Sequence, residues 1–191
     1  MEWDKQPPNF KNLVRRAKDG DQKAFSEIYE NCYTPVFRYL YLRLKNRTEV
    51  EDLAQTVFLK AFQSFPSFKE QGRPILAYFF TIARNALIDH WRKNRETQID
   101  DPEEKLRKLP DSRENLEEKL ARKHDLETIK LAMKNLTEDQ EEVLSLKFMG
   151  ELSHSEIAKV MGKSEEAVRQ LQCRALKTLR HHLKNFKISI H

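Results

Sequence analysis

Signals for the start of a helix recur along this chain of 191 residues, and they constrain its fold more than any other feature. Three segments begin with Ser or Thr and carry Glu or Gln three residues later, a capping box in which side chains satisfy two free backbone N–H groups. These boxes begin at Thr48, Thr137 and Ser153, and apolar residues follow each at helical spacing. Because no segment alternates apolar and polar residues as a half-buried strand does, the sequence predicts an all-α fold.

Five helices are predicted in the first half of the chain, each bounded by residues that favour a helix start or end. Ser, Thr and Asp cap helix starts, proline fits the first helical turn, and Gly or Asn ends a helix. The first predicted helix ends at Gly20, and the second begins at Asp21. The third runs from Thr34-Pro35 to Asn46, the fourth from Thr48 to about Phe65, and the fifth from about Leu76 to Arg95.

The charge is spread unevenly, and this divides the chain into three parts. Residues 1–95 contain 17 Lys and Arg against 11 Asp and Glu, whereas residues 96–116 contain 4 against 7. The middle stretch also contains Pro102 and Pro110 and lacks sustained apolar periodicity, which is typical of a flexible linker. We therefore predict two small helical domains, at 1–95 and 117–191, joined by a flexible acidic linker at 96–116. The alternative is a surface loop within one domain.

The second domain contains the most specific pattern. The capping box at Ser153 begins a short helix that ends at Gly162, and Ser164 caps a longer helix directly afterwards. A short helix, a tight glycine turn and a longer helix form a helix-turn-helix, whose second helix enters the major groove of DNA. Arg, Gln and Glu can pair with base edges there, and Lys and Arg can hold phosphates. The predicted DNA-contacting residues are Ser164, Glu165, Arg169, Gln170, Cys173, Arg174 and Lys177.

One face of the capping-box helix in the first domain is polar but surrounds an exposed leucine. Asp52, Gln55, Thr56 and Gln63 lie around Leu59 on this face. A solvated helix face normally carries paired Lys and Glu, so we interpret this one as a protein-binding surface. An ordinary solvent-exposed face is the alternative. The inward stripe of the same helix is Leu53, Val57, Ala61 and Phe65.

Aromatic residues and cations are interleaved between this helix and the last helix of the domain. Phe68, Arg73 and Tyr78 fit a site for unpaired bases, because rings stack on bases while cations hold phosphates. Core packing is the alternative for such rings, and we expect it for Phe79 and Phe80. The outer side of the last helix is predicted to carry Arg84, Asn85, Asp89, Arg92, Lys93 and Arg95.

Three motifs in this order resemble the extracytoplasmic-function (ECF) group of bacterial sigma factors. The first is DLAQTVF at residues 52–58, and the second is TIARN at residues 81–85, followed by Asp89. The third is the helix-turn-helix, with Val168 and the pair Arg174-Ala175 in its second helix. The resemblance covers nearly the whole chain apart from the linker and the termini.

The resemblance implies a transcription initiation factor that binds core RNA polymerase and directs it to promoter DNA. It implies that the first motif binds the clamp coiled coil of the largest polymerase subunit, with the flap of the second-largest subunit and an anti-sigma factor as further partners. It implies that the N-terminal domain melts and reads the downstream promoter element, and that the helix at 164–177 reads the upstream element as duplex. The implied polymerase-binding residues are Asp52, Gln55, Thr56, Phe58 and Leu59, and the implied melting residues are Phe68, Arg73, Tyr78, Asn85, Asp89 and Arg92.

Two other classes of protein are the alternatives. A repressor or activator that uses the helix-turn-helix alone would leave the polar face around Leu59 and the aromatic segment without a role. An enzyme would need catalytic motifs, but the sequence has no phosphate-binding loop, HExxH, dinucleotide turn or plausible triad. We therefore expect no enzymatic activity, no cofactor and no small-molecule substrate.

Composition and cysteine usage indicate the compartment. The net charge of +5 favours a polyanionic partner. Cys32 and Cys173 stand alone without metal-ligand spacing, which fits a reducing cytoplasm. No apolar run is long enough to insert into a membrane, so we expect a cytoplasmic protein.

Overall fold

The computed structural model describes residues 10–44, 46–68, 74–97 and 133–185, with side chains omitted at 95–97 and 183–185. Within these ranges the chain forms seven α-helices and no strand, which confirms the predicted all-α fold. The helices are α1 (Phe10–Lys18), α2 (Gln22–Arg43), α3 (Arg47–Ser64), α4 (Ile75–Thr97), α5 (Glu138–Gly150), α6 (His154–Met161) and α7 (Glu165–Asn185), and a 3₁₀ turn at Phe65–Ser67 follows α3.

Most of the predicted helix boundaries are confirmed by cap geometry. The Asp21 carboxylate accepts hydrogen bonds from two backbone N–H groups at the start of α2. Both capping boxes of the second half form, at Thr137 for α5 and at Ser153 for α6. Gly162 adopts the left-handed conformation, with a φ of 65°, and ends α6. A residue with a Cβ would be strained there, so glycine allows the tight turn between α6 and α7.

The predicted helix start at Thr34-Pro35 is wrong, because α2 continues through Pro35 without a break. Proline has no N–H, so the helix loses its hydrogen bond to the carbonyl four residues earlier. The helix continues because its buried stripe passes on both sides of the proline. Ile28, Cys32, Val36 and Leu40 lie four residues apart and are all fully buried. Interrupting α2 would break this contact surface.

The predicted capping box at Thr48 is also wrong. Asn46 caps α3 instead, since its side-chain oxygen accepts from the Thr48 backbone N–H at 2.9 Å. The helix therefore begins at Arg47, whose guanidinium pairs with Glu51 one turn later at 2.8 Å. Asn is as strong a cap as Thr, and starting earlier adds this ion pair. Asn46 thus starts α3 rather than ending the helix before it.

One hydrophobic core extends through both halves of the described chain. Phe79 and Phe80 of α4 are fully buried in it, as predicted, and Ile157 and Val168 from the second half belong to the same cluster. Phe148 of α5 lies outside this core and is 57% exposed. It lies on the side of α5 opposite the buried residues Val143, Leu146 and Gly150.

The predicted domain boundaries fall mostly on parts of the chain that the structure does not describe. Helix α4 includes the first two residues of the predicted linker, and residues 98–116 lie outside the described ranges. The division at 96–116 therefore stays a prediction. No helix in the described ranges combines the length and apolar character needed to cross a membrane.

The two cysteines lie in opposite environments. Cys32 is fully buried in α2, and burial raises the pKa of its thiol to about 12. Cys173 is exposed on α7.

Candidate nucleic-acid interface

Helix α7 presents a polar face to solvent and an apolar face to the core. Its first turn is capped by Ser164, whose hydroxyl accepts from the Ala167 N–H at 3.2 Å. Val168 and Ala175 are fully buried, which fixes the rotation of the helix. The predicted contact residues are thereby brought to the outer side. Six of them are exposed and Glu165 is half-buried; the exposed ones are Ser164, Arg169, Gln170, Cys173, Arg174 and Lys177.

Two of the predicted base-contacting side chains already have acidic partners one turn earlier. The Arg169 guanidinium pairs with Glu165, and the Gln170 amide donates to Glu166 at 3.1 Å. These are exposed pairs, and such pairs contribute only about 0.3–0.5 kcal/mol in a helix. They hold the two side chains extended along the helix. Because the pairs are weak, contacts to DNA can replace them at little energetic cost. Glu166 is exposed on the same side of α7 as the predicted contacts.

A side-chain contact that sequence reasoning missed joins the two helices of the helix-turn-helix. His154 Nε2 lies 2.5 Å from the Gln172 side-chain oxygen, so the imidazole N–H donates across the motif. This hydrogen bond connects the first turn of α6 to the middle of α7. It helps to hold the angle at which α7 projects from the rest of the molecule. Neither residue has a helix-cap or periodicity signal that would have identified the pair.

The polar face of α3 is exposed as expected, with one exception. Asp52, Gln55, Thr56 and Leu59 face solvent, and Leu59 is 58% exposed. Phe58 does not lie on this face, because only 5% of it is exposed. It follows the inward residue Val57, and its ring contacts Tyr29, Tyr33 and Phe79 at centroid distances of 4.6, 5.7 and 5.1 Å. Phe58 therefore packs in the core beneath the exposed face of α3 and is not part of that face.

A second exposed apolar residue extends this face. Phe62 is 45% exposed and contacts the ring of Phe25 at a centroid distance of 4.9 Å. It lies three residues after Leu59, one turn further along the same side of α3. An apolar patch within a polar rim is a common composition for a protein interface. Phe62 was not predicted to lie on this face, although its spacing from Leu59 was a usable signal.

The aromatic segment forms a small stack at the start of α4. Phe68 stacks on the buried Phe65 with 15° between the ring planes, and its centroid lies 4.9 Å from that of Tyr78. The Tyr78 hydroxyl donates to the Ala61 carbonyl at 3.1 Å, and partial burial raises the pKa of Tyr78. Phe68 and Tyr78 are half-buried and line a cavity of about 300 Å³. Arg73 lies outside the described residues.

The outer side of α4 combines exposed polar groups with cations. Asn85 is exposed, and Arg92 pairs with the half-buried Asp89 at 3.1 Å. Arg84 is instead turned towards the second half of the chain, where it lies 3.9 Å from Glu142. The three predicted contact residues, Asn85, Asp89 and Arg92, thus lie on the accessible part of the helix.

A buried polar cluster connects α2 with α5. The Tyr39 hydroxyl donates to one carboxylate oxygen of Glu142 at 2.8 Å, and the Arg43 guanidinium lies 3.1 Å from the other. Arg43 also lies over the Trp91 ring, 5.2 Å from its centroid. Burial raises the pKa of Glu142, while Arg43 acts in the opposite direction. Because Tyr39 and Glu142 are 103 positions apart, no local pattern predicts their contact.

Comparison with known protein families agrees with this architecture. Residues 28–97 match the model for sigma-70 region 2, and residues 132–181 match the model for sigma-70 region 4. The first match covers most of α2 and all of α3 and α4, and the second covers α5, α6 and most of α7. The fold is therefore that of a sigma-type transcription initiation factor.

Comparison with individual relatives identifies the group of sigma factors to which the chain belongs. The chain is 36% identical over 173 residues to the ECF RNA polymerase sigma factor BldN of Streptomyces coelicolor, covering 87% of this chain and 63% of that protein's length. It is 33% identical to the ECF RNA polymerase sigma factor ShbA of Streptomyces griseus, covering 88% of this chain and 92% of the relative. The chain belongs to the ECF RNA polymerase sigma factors, which confirms the resemblance seen in its motifs.

A solved structure has the same arrangement of helices. It is the sigma factor RpoE of Bartonella quintana in complex with the anti-sigma factor NepR, with a TM-score of 0.69 and 25% identity. The similarity covers 85% of this chain and 98% of that one. It includes both the region 2 and the region 4 parts of the present fold.

Proposed function

We propose that this chain binds core RNA polymerase and directs it to promoters, using α7 for the upstream element and the start of α4 for the downstream element. The observation that carries the proposal is the exposed polar face of α7, which is fixed by the burial of Val168 and Ala175. Membership of the ECF sigma factors supports the same role. No enzymatic step is needed for it.

The upstream contact follows from the chemistry of α7. An α-helix fits the major groove of duplex DNA, and its first turns usually meet the base edges. Arg169 and Gln170 lie in those turns, where they can pair with guanine and adenine. Arg174 and Lys177 lie further along the same side and are placed to hold phosphates.

The downstream contact follows from the aromatic stack. Phe68 and Tyr78 each present part of a ring at the 300 Å³ cavity, and Asn85 and Arg92 continue the surface along α4. Stacking on an aromatic ring contributes about 1–3 kcal/mol per unpaired base, which offsets part of the cost of opening the duplex. The stack therefore fits the melting step of initiation.

The polymerase contact follows from the exposed face of α3. Leu59 and Phe62 supply apolar area, and Asp52, Gln55 and Thr56 supply a polar rim. We assign this face to the clamp coiled coil of the polymerase. An anti-sigma protein is a further proposed partner, since the solved relative RpoE is bound to one.

Transcription in vitro tests the proposal directly. The purified chain is combined with core polymerase and promoter-containing DNA from its host, and initiation is measured with and without the chain. Transcripts that depend on the chain are expected. Tight sequence-specific binding to duplex DNA by the chain alone, without any effect on core polymerase, would instead support an independent helix-turn-helix regulator.

Charge reversal at Asp52 should weaken polymerase binding while leaving the fold intact. Asp52 is exposed on α3, so Asp52→Lys removes a rim contact and introduces the opposite charge at the interface. The expected loss of core affinity is about 1–3 kcal/mol. Asp19→Lys is the matched control, because it makes the same charge change at an exposed position after α1. Equal core affinities for the two variants would remove Asp52 from the interface.

A further inference from the structure

A polar side chain lies on the packed side of α7, within the helix-turn-helix. Gln172 comes four residues after Val168 and three before Ala175, which are both fully buried. Residues at these spacings share one face of a helix, so Gln172 lies on the same face as these two. It is half-buried there. A leucine at this position would simply extend the apolar stripe of the helix.

The Gln172 side chain is paired across the motif. Its oxygen lies 2.5 Å from Nε2 of His154, the first residue of α6. Because an amide oxygen only accepts hydrogen bonds, the imidazole carries a proton on Nε2 and donates it. An amide that is withdrawn from water costs free energy when it lacks such a partner. The two polar residues therefore depend on each other.

This hydrogen bond lies far from the turn that joins the two helices. Helix α6 ends at Met161, and His154 is at its opposite end. Helix α7 begins at Glu165, and Gln172 is about two turns further on. With a rise of about 1.5 Å per residue, both positions are some 10 Å from the turn. A bond at that distance from the pivot restricts the angle between the helices more than a contact beside the turn does.

The angle between α6 and α7 determines where the proposed base contacts lie. In a helix-turn-helix the first helix crosses the DNA backbone while the second enters the major groove. Arg169 and Gln170 are exposed on α7 within one turn of Gln172. A rotation of α7 about the turn would move both side chains relative to the backbone contacts. Hydrogen bonds to base edges weaken steeply when their geometry changes in this way.

We propose that the hydrogen bond between His154 and Gln172 determines promoter specificity, by setting the angle at which α7 enters the major groove. Both are positioning residues, because neither is assigned a contact with a base. The inference rests on the proposed function, since it concerns the reading of the upstream element by α7. Apolar packing is less directional than a hydrogen bond, so two leucines here would hold the helices together without fixing one angle.

Two substitutions of His154 separate the hydrogen bond from the rest of the side chain. The amide nitrogen of glutamine is as many bonds from Cα as Nε2 of histidine, so His154→Gln keeps a donor at that position. Asparagine is one methylene shorter, so His154→Asn keeps a polar amide that falls short of Gln172. A third variant combines His154→Leu with Gln172→Leu, which removes both polar groups and extends the apolar stripe.

The experiment combines each full-length variant with core polymerase and a promoter library randomised in the upstream element. His154→Gln should keep the wild-type preference profile. His154→Asn and the leucine pair should each reduce the discrimination between the best site and its single-base variants by about threefold or more, as expected for two coupled residues. Urea denaturation followed by circular dichroism measures stability. The leucine pair should unfold at a urea concentration no lower than the wild type, because it leaves no polar group unpaired.

Three results would overturn the proposal. A wild-type profile in His154→Asn or in the leucine pair would show that specificity does not depend on the hydrogen bond. A flattened profile in His154→Gln would assign the effect to the imidazole itself. A leucine pair that unfolds at clearly lower urea would assign the bond to the stability of the fold. A wild-type chain that initiates transcription with a preference among upstream sequences would still support the proposed function, whereas the absence of any preference would count against that function itself.

Discussion

Phe79→Ala should reduce the free energy of unfolding by about 3–5 kcal/mol, the usual cost of removing a fully buried phenylalanine ring. Phe79 is fully buried in α4, and its ring contacts those of Phe58 and Tyr78 at centroid distances of 5.1 and 5.6 Å. These partners all belong to the first half of the chain, so the loss does not depend on how the halves are arranged. Urea denaturation followed by circular dichroism gives the measurement.

Phe148→Ala is the control for this prediction. It removes the same chemical group, a phenyl ring, from α5. Because Phe148 is 57% exposed, removing its ring leaves no cavity in the core. Its effect should be within about 0.5 kcal/mol of the wild type, as is usual for surface substitutions. Similar losses for Phe79→Ala and Phe148→Ala would show that the burial of these two rings is wrongly assigned.

Joint replacement of Arg169 and Arg174 by alanine should weaken binding to the upstream element by about 2–4 kcal/mol, provided that α7 reads duplex DNA. Arg169 is assigned to a base edge, so Arg169→Ala alone should relax the preference at one position. Arg174 is assigned to a phosphate, so Arg174→Ala should weaken all sites alike and lower the salt slope by about 1. A promoter library randomised in the upstream element separates the two effects.

Arg16→Ala provides a comparison on the opposite half of the chain. Arg16 is an exposed arginine whose guanidinium pairs with Asp21, outside the proposed DNA surfaces. Its replacement should leave the preference profile unchanged. Wild-type activity in the joint Arg169 and Arg174 variant would refute the assignment of α7 to the upstream element. An unchanged profile for Arg169→Ala alone would remove only that residue from base contact.

The parts of the fold that depend on local chemistry were predictable from the sequence. Capping at Asp21, Thr137 and Ser153 needs only residues within one helical turn, and so does the left-handed turn at Gly162. The outward face of α7 follows from the spacing of its buried residues. Local signals therefore located the helix-turn-helix and most of its candidate contacts.

Two local signals failed where packing or a stronger cap opposed them. Pro35 indicated a helix start, but the buried stripe of α2 on both sides of it kept the helix continuous. Thr48 competed with Asn46, which caps α3 two residues earlier. A proline or a threonine in such a pattern marks a possible boundary, and tertiary contacts decide whether it is used.

Contacts between distant residues could not be predicted from one sequence. The Tyr39–Glu142 hydrogen bond joins positions in different halves of the chain, and nothing in the pattern around either residue specifies its partner. The same is true of the close contact between Gly150 at the end of α5 and the Phe80 ring of α4. Phe58 was assigned to a surface through its place in a family motif, and only the packing of α3 showed that it lies inside.

The contrast between the two cysteines makes this factor convenient for fluorescence work. A maleimide dye reacts with the thiolate, which the buried Cys32 with its pKa of about 12 does not supply at neutral pH. Cys173 is exposed on the outer side of α7, so the unmodified sequence offers a single accessible thiol among the described residues. Because Cys173 is itself a predicted DNA-contacting residue, the dye would lie in the proposed interface, and labelling should weaken the binding of α7 to duplex DNA while the fluorescence measures how much of the chain is labelled.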